Sequence, residues 1–173
     1  MELGKKFFDT EQFDGYVPLK DFYSSYDSKD EIGYGLYVIL NDTKDLPQIN
    51  KTRFNSSGIK INYSVGLDKL VTNPEVILIG LPNFMYSSKY KLHNEVYQFY
   101  GTGLRYPKRR FFGKLVFTIE DFSNLKVAFK KMGEKNARLY YQRYLSNHLE
   151  IYNTLPFANL SQKLPKKSYN LFG

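Results

Sequence analysis

Two short apolar runs organise the pattern of hydrophobic and polar positions: Gly33-Tyr-Gly-Leu-Tyr-Val-Ile-Leu40 and Glu75-Val-Ile-Leu-Ile-Gly80. Both are rich in β-branched and aromatic residues. Turn formers bound them, Asn41-Asp42 after the first and Asn73-Pro74 before the second. Runs of this length and composition predict buried strands, over 35–40 and 76–79.

Around these strands the pattern is weaker. Residues 1–32 scatter Phe7, Phe8, Phe13, Tyr16, Phe22, Tyr23 and Tyr26 among acids and turn residues, which predicts a short helix or loop around 18–26 packing aromatics onto the sheet. The connection 41–72 contains an alternating stretch, Gly58-Ile-Lys-Ile-Asn-Tyr63, read as a short edge strand, and a helical turn over 65–71. Leu81-Pro82-Asn83 breaks the second strand. Ser87 or Ser88 then caps a helix over 89–99 with Leu92, Val96 and Phe99 at helical spacing, and Tyr100-Gly-Thr-Gly103 stops it. A third strand is predicted over 111–119 and a short helix over 121–131, capped by Ser123 and ended by Gly133. The longest helix covers 134–152 and is closed by Pro156; Asn159 is expected to hydrogen-bond the backbone after it. The sum is a small mixed α/β (α+β) domain, a central three-stranded or slightly larger sheet flanked by helices. It divides into an N-terminal extension (1–32), the domain proper (33–160) and a basic tail (161–173) carrying Lys163, Lys166 and Lys167 with Leu171 and Phe172.

Composition narrows the function. A chain of 173 residues with 42% apolar content holds one domain with a real core. No apolar run approaches the ~20 residues that cross a bilayer, and the start, Met1-Glu-Leu-Gly-Lys-Lys, has no signal-peptide core, so a cytoplasmic protein without membrane contact is expected. The absence of cysteine removes disulfides, zinc–thiolate sites and thiol nucleophiles. Net charge is +8 and the pI about 9.4, which favours polyanionic partners, nucleic acid first. The run Arg105, Lys108, Arg109, Arg110, Lys114 contains no acid and reads either as a phosphate-binding loop or as a solvated face. Lys126, Lys130, Lys131 and Lys135 suggest a second basic stripe.

The order of these segments resembles the GIY-YIG nuclease family. Gly35-Leu-Tyr37 followed by Val-Ile-Leu is similar to the first half of its signature, and Val76-Ile-Leu-Ile-Gly80 stands where the second half sits, with Leu78 in place of the second tyrosine. The long connection between them is that of a bacterial or phage branch. Tyr100-Gly-Thr-Gly103 resembles the turn after that branch's first helix, Phe111-Phe-Gly-Lys114 its third-strand entry, and Leu155-Pro-Phe-Ala-Asn-Leu160 the Asn-bearing end of its last helix. The resemblance implies metal-assisted phosphodiester hydrolysis, with magnesium or manganese held by a helix glutamate, phosphate charge met by a helix arginine, and water positioned by tyrosines.

The sequence departs from that pattern where the chemistry sits. Tyr37 is kept, as a retained catalytic tyrosine or a core aromatic. The arginine position falls near His93, which is read as a phosphate contact or base, or as a surface residue. The glutamate position falls near Tyr141, in a stretch with no acid, so no metal ligand and no cofactor is expected. His148 suggests no role. The expected function is therefore a nucleic-acid-binding protein of GIY-YIG type deficient in cleavage. The alternatives are a divergent active endonuclease and a structural or adaptor protein of a phage or mobile element, docking a protein partner through its tail.

Overall fold

The computed structural model of the chain describes residues 2–21, 35–43, 45–49, 52–54, 60–62, 72–81, 116 and 118–159. In chain order, the elements with named bounds among them are α1 (Lys5–Thr10), β1 (Asp14–Pro18), β2 (Gly35–Leu40), β3 (Thr52–Phe54), β4 (Lys60–Asn62), β5 (Val76–Gly80), β6 (Lys126–Lys131) and α2 (Glu134–Tyr152), with 3₁₀ turns at Phe122–Asn124 and Phe157–Asn159. Four strands form an antiparallel sheet in the order β1-β6-β2-β5, and β3 and β4 pair as a separate ribbon. The architecture is a small α+β domain. None of its described helices is long and apolar enough to cross a membrane.

The two apolar runs form strands as their composition predicts. All of β2 and β5 is buried. They are direct neighbours, with Tyr37 opposite Gly80, Val38 opposite Ile79 and Ile39 opposite Leu78. A bulge then skips Ile77, so that Leu40 meets Val76. Leu36, Val38, Leu40, Val76 and Ile79 share one face with Ala128, under Phe7 and Phe8 of α1 and Ala137, Tyr144 and Leu145 of α2. Tyr37, Ile39, Leu78, Val127 and Phe129 share the other face, covered by Leu19, Ile119, Phe122, Leu125 and Phe157. On the helix side Tyr144 is an aromatic hub, with edge-on contacts to Phe7 at 5.7 Å and Phe8 at 5.8 Å.

Four expectations change. The predicted helix over 121–131 is instead a 3₁₀ turn followed by β6, an interior strand paired with β2 over Gly35 to Leu40. Val127 and Phe129 fill one face and Ala128 the other, so the slot between two strands overrides a mixed local pattern. The predicted strand over 111–119 is not found among its described residues: Val116 is helical, Thr118 lies in a turn, and Ile119 pairs only as an isolated bridge to Ile49. Residues 5–18, for which no element was predicted, supply α1 and the edge strand β1. The basic stripe is broken, since Lys126 and Lys130 lie at opposite ends of β6.

The short strand in the 58–63 stretch is found as β4, and the long helix has the predicted bounds. It ends where Asn153 turns left-handed, φ 52°, ahead of Pro156. The predicted turn at 65–71, the helix at 89–99, its glycine stop, the basic loop and residues 22–26 lie outside the described residues. At its start α2 has Gly133 as N-cap with no side-chain cap bond, and a Cβ there would meet nothing. Gly133→Asp should therefore raise the unfolding free energy by about 0.5–1 kcal/mol, through capping and loss of unfolded-chain freedom; chemical denaturation checks this.

Candidate functional site

Tyr37 stands at the centre of β2 and is 4% exposed. Its ring lies across Gly80 of the neighbouring strand: a Cβ built at Gly80 would sit 2.0 Å from the ring's Cζ. Glycine is thus required at that position by the tyrosine, independently of any chemistry. Phe129 opposes Tyr37 on the other side, across β6. Leu78 is buried on the same face. Tyr141 is packed against the helix-side cluster, on the opposite face of the sheet from Tyr37. A carboxylate at 141 would therefore not face Tyr37.

The strand carrying Gly80 is pinned by Asn159. Its side-chain oxygen accepts from the Ile79 N–H at 2.9 Å and its amide donates to the Ile79 carbonyl at 2.8 Å. This fully buried amide completes the free edge of β5 as another strand would. The expected backbone bond after Pro156 is also present, from Asn159 N–H to the Pro156 carbonyl.

A second buried polar group joins α2 to the start of β5. Asn73 donates to the Leu3 carbonyl at 3.1 Å and reaches His148 Nε2 at 3.3 Å, while its oxygen accepts from the Glu75 and Val76 N–H groups. Both hydrogens and both lone pairs of the amide are used. His148 Nδ1 lies 2.6 Å from the Thr154 carbonyl, so Nδ1 carries the proton and Nε2 accepts from Asn73. Burial lowers the imidazole from 6.5 to about 4, the Thr154 carbonyl opposing the shift. This histidine is sealed and structural.

A third cluster was not legible in the sequence. Glu11, after α1, receives the Tyr144 hydroxyl at 2.8 Å. The Arg143 guanidinium lies 3.4 Å from one of its oxygens and the Lys130 ammonium 3.9 Å from the other. Both cations lie near the ring of Tyr140, Lys130 at 5.1 Å and Arg143 at 5.5 Å from its centroid. Burial, then the Glu11 contact, pushes the Tyr144 phenol well above its ordinary pKa, so it remains a donor. Partners 132 and 133 residues apart leave no local signal.

The far end of the sheet is acidic. A groove of about 590 Å³ there is lined by Asp42, Asp45, Glu120 and Asp121 beside Leu46 and Lys126. Among the described residues, acids thus lie beyond Leu40, and Lys130, Lys131 and Lys135 lie near Gly35. Among the described residues no group of three or more His, Asp or Glu side chains is arranged to hold a metal. His93, Arg105, Lys108, Arg109, Arg110 and Lys114 lie outside the described residues. Comparison with family models, with curated proteins and with solved structures finds no match to this chain.

Two outcomes test this geometry. Gly80→Ala should be strongly destabilising in the native chain and far milder in a Tyr37→Ala background; the double-mutant cycle should give a coupling of about 1–3 kcal/mol. The histidine predicts a pH dependence. With its folded pKa below the unfolded value, the unfolded chain binds the extra proton between them. Stability is therefore intact above pH 6.5 and falls toward pH 4. The contribution lost should be roughly 3 kcal/mol, measured as the difference in pH-dependent unfolding between the native chain and His148→Gln.

Proposed function

We propose that this chain is a nucleic-acid-binding protein built on a GIY-YIG-like domain that does not cleave its ligand. The observation that carries binding is electrostatic: a net charge of +8, with Arg105, Lys108, Arg109, Arg110 and Lys114 clustered without an intervening acid. The family resemblance is supported by the adjacency of β2 and β5 and by Tyr37 lying over Gly80. The loss of cleavage is supported by chemistry. Tyr37 is enclosed in the core, Leu78 has no hydroxyl with which to hold water, and a neutral phenol at Tyr141 is a poor ligand for a hard cation. His93 carries a charge only part of the time near neutral pH, whereas an arginine there always would.

Binding of a short fluorescent duplex or single strand, followed by anisotropy across a potassium chloride series, should show affinity falling steeply with salt. Each phosphate contact contributes about 0.9 to the log–log slope, so the slope should reach several units, and charge reversal at Arg109 and Arg110 should flatten it. A slope near zero removes nucleic acid as the partner and leaves the adaptor reading. In parallel, supercoiled plasmid should stay intact with magnesium or manganese. Nicking that Tyr37→Phe abolishes would replace this reading with that of an active, divergent endonuclease.

A further inference from the structure

We infer that Lys130, Tyr140 and Arg143 form a contact site for a nucleic-acid phosphate and its neighbouring base, and that Glu11 occupies this site as an internal competitor. The inference rests on the nucleic-acid reading above and adds contacts to those expected of the 105–114 run. Three donors, the Tyr144 hydroxyl, the Arg143 guanidinium and the Lys130 ammonium, converge on one carboxylate. Convergent donors of this kind are what a phosphodiester oxygen requires. Only the tyrosine bond has the length of a strong hydrogen bond. The two cations stand at 3.4 and 3.9 Å, longer than the 2.7–2.9 Å typical of charge-assisted pairs, so Glu11 holds them loosely.

The trio of Glu11, Lys130 and Arg143 keeps a net positive charge of one. Arg143 is 51% exposed, and Glu11 satisfies one of its five N–H donors through Nη2. Its guanidinium lies over the rings of both Tyr140 and Tyr144, at 5.5 and 5.9 Å, which fixes the plane of the fork. Tyr140, half-buried and within 5.5 Å of both cations, places an aromatic ring beside the phosphate site, the pairing that single-stranded ligands use for stacking. Lys131 and Lys135 are exposed near the same end of the sheet. The carboxylates of the groove at the other end of the described sheet, Asp42, Asp45, Glu120 and Asp121, disfavour the same ligand there.

The test uses the full chain and the same anisotropy series. Glu11→Gln removes the competing charge while its amide oxygen still accepts the Tyr144 hydroxyl, so the melting curve should change little. Binding should become several-fold tighter and the salt slope steeper by about 0.9, the increment of one phosphate. Adding Arg143→Ala or Tyr140→Ala to Glu11→Gln should return affinity to or below the native level. Glu134→Gln is the control, since it removes the same charge from the same end of the molecule. Equal tightening by both variants would reduce the effect to net charge and overturn the site. If the native chain binds, and Arg109 and Arg110 matter, but Glu11→Gln and Arg143→Ala change nothing, this inference fails alone and the cluster is a structural ion network. If no variant shows salt-dependent binding, the nucleic-acid reading falls and takes the inference with it.

Discussion

Strand β2 is buried on both faces, and most of the described structure follows from that constraint. Its backbone donors and acceptors have no access to water and must be paired along both edges. β6 supplies a partner for every residue from Gly35 to Leu40, and β5 supplies the other edge. The strands then approach so closely that Gly35 has no room for a Cβ, which would lie 2.1 Å from the Lys130 carbonyl oxygen. The bulge at Ile77 keeps β5 in phase with β2 beyond it, so that Val76 joins the helix-side layer with Leu40. Burying two faces needs two layers, which the N-terminal helix and α2 supply on one side and the short 3₁₀ segments on the other.

β5 would be an exposed edge strand without its side-chain pins. Asn159 satisfies the outward-facing N–H and C=O of Ile79, and Asn73 satisfies the N–H groups of Glu75 and Val76. Each pin is itself held by distant chain, Asn159 by the turn after Pro156 and Asn73 by Leu3 and His148. The C-terminal end of α2 and the first residues of the chain are therefore coupled to the position of Gly80 beneath Tyr37. An unpaired buried amide costs about 1–3 kcal/mol, which makes these four or five bonds comparable in weight to several core methyl groups.

The elements legible in the sequence were those whose local pattern agrees with their environment. β2 and β5 are apolar throughout because both faces are buried, and the bounds of α2 are marked by Gly133 before it and Pro156 after it. β6 was misread because Lys126, Lys130 and Lys131 flank only three buried residues, a pattern that suits a strand only when neighbours exist on both sides. α1 is six residues long, too short to show periodicity, and is stabilised by Phe7 and Phe8 packing on Tyr144 rather than by propensity. Tyr37 was identified as the residue of interest, but its enclosure depends on Phe129 and Gly80, which only the sheet brings together. The Glu11 cluster was invisible, since its members come from α1's end, β6 and α2.

The two faces of the sheet divide packing from charge. On the Tyr37 face the described side chains are apolar, and the tyrosine ring is held between a glycine and a phenylalanine across neighbouring strands. On the helix face, Tyr144 joins the aromatic core to the surface: its ring contacts Phe7 and Phe8, and its hydroxyl holds Glu11. Glu11 is 20% exposed, so the charge it places between Lys130 and Arg143 is incompletely screened. On the proposed reading, Glu11 thus offsets part of the positive charge that Lys130 and Arg143 offer a polyanion.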